Sequence, residues 1–78
     1  MSKAAAVQLD LRGTPCPLNF IRSKLALEKL APGAWLHVDL DAGEPEEMVA
    51  SGLREAGHHV ELERLEPGWV RLLICHGG

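Results

Sequence analysis

Cys16 is the residue of this 78-residue chain whose neighbours best equip it for chemistry. It lies between Pro15 and Pro17. A residue before proline is pushed out of the helical region, and proline is favoured at the first helical position, where its missing N–H costs nothing. Cys16 is therefore predicted as the N-cap of a helix, with its sulfur facing the free N–H groups of the first turn and the positive end of the helix dipole. Both favour thiolate over thiol, and so do nearby cations. Arg12 precedes the turn, and Arg22 and Lys24 follow one to two turns on. A thiolate with no acid or base partner beside it in sequence suits sulfur or redox relay better than hydrolysis. So small a domain also leaves little room for a deep pocket.

Other reactive side chains are less well placed. Cys75 sits near the chain's end and could resolve a modified Cys16 only if the fold brought the two together. His37, His59 and Cys75 fall on one face by alternation, with His58 and His76 adjoining, but their spacing matches no familiar metal site. No metal and no cofactor is expected. Trp35 and Trp69 on that face read as cover for an open sheet rather than a platform for stacking bases.

Turn signals at Gly13-Thr14-Pro15, Pro32-Gly33, Ala42-Gly43, Gly57 and Pro67-Gly68 divide the chain into six segments. Four alternate as half-buried strands do. Val7, Leu9 and Leu11 form the first apolar row, and Leu36, Val38 and Leu40 the second. Val60 with Leu62, and then Val70, Leu72 and Ile74, form the third and fourth, leaving Leu73 on the polar side. Helices are predicted over 17–31 and 45–56, the second with Pro45 and two glutamates in its first turn and Gly57 past its end. The fold class is thus α/β (α+β): a two-layer sandwich in the order β-α-β-α-β-β, with a four-stranded mixed sheet and two helices on one face. In the first helix Phe20, Leu27 and Leu30 are expected in the core. Leu18, Ile21 and Leu25 would then stay partly exposed beside the helix start, as a docking patch for partners.

The length allows one domain, spanning 1–78, with disordered tails expected at 1–6 and 77–78. The composition is 46% hydrophobic and 24% charged, which excludes a disordered or collagen-like chain. No apolar run reaches the ~18 residues of a membrane span, and no secretory leader is recognised, so a reducing cytoplasm is the expected location. The net charge of −3 argues against direct nucleic-acid binding. Residues 1–37 carry five basic and two acidic groups, whereas 38–78 carry three basic and nine acidic. The basic half thus contains Cys16.

The run Leu9-Asp10-Leu11-Arg12-Gly13-Thr14-Pro15-Cys16-Pro17 resembles the opening of the TusA/SirA-type sulfur-carrier family, in which a strand leads through Gly-x-x-Cys-Pro-x-Pro into a helix. The likeness extends over nearly the whole chain in length and element order. It implies that Cys16 carries sulfane sulfur as a persulfide between protein partners. The donor would be a cysteine desulfurase or another sulfurtransferase, and the acceptor would serve tRNA thiolation, cofactor synthesis or sulfur oxidation. In place of the family's Cys-Pro-x-Pro this chain has Cys16-Pro17-Leu18-Asn19. Asn19 restores an N–H that proline lacks, at a place where it could point at the Cys16 sulfur. The residues predicted to stabilise the thiolate are therefore Pro17, Leu18, Asn19, Arg12, Arg22 and Lys24. Two alternatives are a non-catalytic adaptor or regulatory paralogue of the same fold, for which Asn19 speaks, and a thiol redox sensor answering to peroxide. The chain also ends in Gly77-Gly78, as ubiquitin-like thiocarboxylate carriers do, but those begin with a β-hairpin and lack a helix-capping Cys-Pro.

Overall fold

The apolar rows read from the sequence lie against two helices. A computed structural model describes residues 4–77. Its elements are β1 (Val7–Asp10), α1 (Leu18–Glu28), β2 (Trp35–Asp41), α2 (Glu44–Glu55), β3 (His59–Glu66) and β4 (Trp69–Cys75). The strands order as β1-β2-β4-β3. β1 runs parallel to β2, while β4 runs antiparallel to both β2 and β3. This is the expected mixed-sheet α+β sandwich. Leu36, Val38, Leu40, Val70, Leu72 and Ile74 are fully buried on the helix side. Val49 and Leu53 of α2 and Leu27 of α1 close over them.

Three strand positions depart from simple alternation, the first being Val7, which is exposed on the edge strand β1. Leu73 points away from the helices yet is buried, because β4 is an interior strand and His37 and Glu61 flank it in register on both sides. Leu62 shares the register of buried Leu72 but remains exposed, since β3 is an edge strand with a neighbour on one side only.

Helix α1 departs further. Its buried residues are Asn19, Ser23 and Leu27, and Phe20 and Leu30 are only half-buried. Leu27 is in the core as expected, and Phe20 and Leu30 pack against it from the edge, while Asn19 takes the buried place in the first turn. Ser23 tolerates burial because its hydroxyl donates to the Asn19 carbonyl at 2.8 Å. Helix α2 begins where the Glu46 carboxylate accepts the Gly43 N–H at 2.9 Å, and Arg64 neutralises that buried acid from β3 at 3.4 Å.

Of the tails expected at 1–6 and 77–78, residues 1–3 and Gly78 lie outside the described residues. Within the described part, the Ala6 N–H donates to the Trp35 carbonyl. The Gly77 N–H donates to Nδ1 of His58 at 3.0 Å. None of the described helices is long and apolar enough to cross a membrane.

Candidate active site

Cys16 is delivered by a short loop whose backbone is tied at nearly every step. Past β1, the Leu11 N–H donates to the Asp39 carbonyl, and the Leu11 side chain is buried. Gly13 turns the chain at φ +79°, a conformation glycine adopts without penalty, and the Thr14 N–H closes the turn on the Leu11 carbonyl. The Gly13 N–H donates to the Asp41 carboxylate at 2.8 Å, which pins the loop to the end of β2. The Cys16–Pro17 peptide is cis. Between Pro15, whose carbonyl accepts the Asn19 N–H at 3.2 Å, and the first turn of α1, the Cys16 thiol stands free and exposed.

Three expectations are corrected here. Cys16 is not the N-cap: α1 starts at Leu18, and Pro17 holds the capping position with its carbonyl accepting the Ile21 N–H. The Asn19 N–H is spent on Pro15 rather than aimed at the Cys16 sulfur. Arg12 is engaged by partners other than the thiol. Its Nε and Nη2 each donate to the Asp10 carboxylate at 2.8 Å, and its guanidinium lies 4.8 Å from the centre of the Trp69 ring. That pairing holds Asp10 at about 2, chiefly through the side-chain hydrogen bonds, and pushes the Arg12 guanidinium further up for the same reason.

The other predicted residues line one side of α1. Leu18, Ile21 and Leu25 recur at helical spacing on the face opposite Asn19, Ser23 and Leu27. They are 50%, 44% and 53% exposed, so an apolar strip leads directly away from Cys16. Arg22 and Lys24 are exposed on either side of that strip. Asn19, by contrast, is fully buried: its Oδ1 accepts the Phe20 N–H at 2.7 Å, and its Nδ2 has no partner.

The remaining candidates lie elsewhere. Cys75 pairs in register with Trp35 at the start of β2, whereas the Cys16 loop is fastened to Asp41 at its end. Six residues of strand put roughly 20 Å between those points. That is far beyond the ~7 Å Cα separation a disulfide allows, so Cys75 does not resolve Cys16 within one chain. Trp35 meets His59 edge to face, and His58 meets His76 likewise. Among the described residues, no group of three or more His, Cys, Asp or Glu is disposed to hold a metal ion. A cavity of about 270 Å³ opens at the β3–β4 turn beside Ala42, Leu65 and Trp69, but Cys16 does not line it.

The family profile of the sulfurtransferase TusA matches residues 7–76, which takes in every element and the Cys16 loop. The chain belongs to the TusA family. A protein of Thermotoga maritima named as a sulfur carrier is 33% identical over 67 residues, covering 85% of each chain. A similarly named protein of Archaeoglobus fulgidus is 38% identical over 52 residues, 67% of this chain and 59% of that one. The crystal structure of a SirA-like protein from Desulfitobacterium hafniense superposes with a TM-score of 0.82 at 25% identity, covering 92% of this chain and 99% of that one. A sulfur-carrier role therefore goes with the family, and with it contact with other proteins. What TusA membership leaves to chemistry is which atoms carry the sulfur.

Proposed function

We propose that Cys16 relays sulfane sulfur as a persulfide between a protein donor and a protein acceptor. One observation carries this reading: the free thiol of Cys16 is exposed on a loop fixed to the sheet at Gly13, directly before an exposed apolar strip. Transfer at sulfur needs access and orientation more than an enclosing pocket.

In the loading step the Cys16 thiolate attacks the outer sulfur of a donor persulfide. A new S–S bond forms at Cys16, the donor's own S–S bond breaks, and the donor's cysteine leaves as thiolate. No net electrons are exchanged. Delivery reverses the roles: an acceptor nucleophile takes the outer sulfur, and the Cys16 thiolate departs. Leu18, Ile21 and Leu25 form the apolar centre on which partners dock, and Arg22 and Lys24 give its rim positive charge. Pro17 and Leu18 open α1 directly after Cys16, which places the positive end of that helix beside the sulfur. Asn19 contributes from inside, by holding the first turn. The reading places the work in a reducing cytoplasm, with a cysteine desulfurase or another sulfurtransferase as donor and thiolation of tRNA among the possible ends of the relay.

The test is the intact mass after incubation with a cysteine desulfurase and free cysteine, beside a Cys16→Ser control. The expected result is gain of one sulfur, removable by reductant and absent in the control. No gain with several donors, from a thiol that still alkylates, favours an adaptor role or a peroxide-responsive thiol. An adaptor would also keep its function in the Cys16→Ser variant.

A further inference from the structure

The side chain of Arg12 fastens the Cys16 loop to a strand far away in sequence. Its guanidinium is clamped by Asp10 and laid over the indole of Trp69, the first residue of β4. Trp69 is itself held. Its Nε1 donates to Glu66 at 2.9 Å, and the Arg71 guanidinium stands 5.7 Å from the ring centre. Arg71 in turn donates to Asp39 at 2.7 Å. Asp41, which pairs in register with Trp69, accepts the N–H of Gly13. Trp69 and its cross-strand neighbour thus grip two consecutive loop residues, Arg12 by its side chain and Gly13 by its backbone.

We propose that Trp69, acting through Arg12, is a positioning residue for sulfur transfer at Cys16. The inference rests on the persulfide-carrier reading above. The attacking sulfur must meet the donor's S–S bond in a defined direction while the donor is seated on α1. A loosened loop then lowers the fraction of productive encounters without changing the reactivity of the thiol. An indole face suits this task because it holds a planar guanidinium by stacking and charge together, with Asp10 setting the in-plane orientation. Arg12 therefore serves as a tether between loop and sheet rather than as a charge at the sulfur.

The test compares the full chain with Trp69→Leu, Trp69→Tyr, Arg12→Ala and the double variant Arg12→Ala/Trp69→Leu. Three quantities are read: hydrogen exchange of the Gly13 amide by NMR, the rate of Cys16 alkylation by iodoacetamide, and the rate of sulfur uptake from a cysteine desulfurase. In Trp69→Leu and Arg12→Ala the Gly13 amide is expected to exchange about two- to fivefold faster, with no further gain in the double variant. Sulfur uptake slows by at least that factor, alkylation is unchanged, and Trp69→Tyr restores both exchange and uptake. Unchanged Gly13 exchange in Trp69→Leu overturns the proposal. So does slower alkylation in Arg12→Ala alone, which would make Arg12 a partner of the thiolate. If the unaltered chain takes up no sulfur, the carrier reading fails, whereas the link from Trp69 to the loop is still decided by the Gly13 amide.

Discussion

Gly52 faces the ring of Phe20 where α1 and α2 meet, so closely that a Cβ there would stand 2.6 Å from Cε1 of the ring. In an isolated helix, replacing glycine by alanine gains about 1 kcal/mol. Here overpacking opposes that gain by about 1–3 kcal/mol, since the half-buried ring must move. Gly52→Ala is expected to lower stability by about 1 kcal/mol, measured as the midpoint of urea unfolding. Combining it with Phe20→Leu should recover part of the loss, because the two positions share one space.

Asn19 presents the opposite balance. Its Oδ1 accepts the Phe20 N–H, but its buried Nδ2 is left without a partner. Asn19→Leu removes a helix-end hydrogen bond worth about 1 kcal/mol and also an unsatisfied donor costing about 1–3 kcal/mol. The expected result is equal or greater stability in urea, by up to about 2 kcal/mol. Asn19→Asp, which puts a carboxylate in the same buried place, should be destabilised at pH 7 and recover in acid.

His58 gives the fold a pH dependence. Burial, and then the nearby His76, lower its pKa below the usual 6.5. Its Nδ1 accepts the Gly77 N–H, which requires the neutral ring. A group whose folded pKa is depressed supplies stability above its unfolded value and loses it as pH falls through the folded one. Tm is thus expected to fall between pH 7 and 5, and His58→Gln should flatten that slope. Asp10 does not interfere, because its own contribution disappears only between 3.8 and about 2.

The apolar strip on α1 separates docking from folding. Ile21→Glu and Leu25→Glu alter residues that are about half exposed, so stability should shift by about 0.5 kcal/mol or less. Sulfur uptake from a protein donor should nonetheless drop at least about tenfold, as for a truncated interface anchor. Alkylation of Cys16 by iodoacetamide is expected to stay unchanged. Equal uptake by Leu25→Glu and the unaltered chain would remove the strip from the docking surface.

Strand rows were legible because alternation depends only on local pleating, and the buried rows of β2 and β4 follow it except at Leu73. The position of Cys16 just ahead of a helix was legible from its two prolines. The facing of α1 was legible in part: Leu18, Ile21 and Leu25 are exposed and Leu27 is buried as expected, whereas the full burial of Asn19 was not foreseen. The Ser23 hydroxyl and Oδ1 of Asn19 find partners within the helix itself, and hydrophobic pattern carries no trace of that. Arg12 was misplaced for a related reason. Its charge pointed to the nearby thiol, while its partners are Asp10, two residues away, and Trp69, which is close only after the sheet has formed.

The placement of the two thiols at opposite ends of the sheet governs what oxidation can do to this chain. A molecule that cannot close its own disulfide has no unimolecular route to an inactive, bridged state. Oxidised Cys16 must wait for a second molecule, whether glutathione, a partner's cysteine or another copy of the chain. Its loss to disulfide is then a bimolecular event, fast in a concentrated solution and slow in a dilute one.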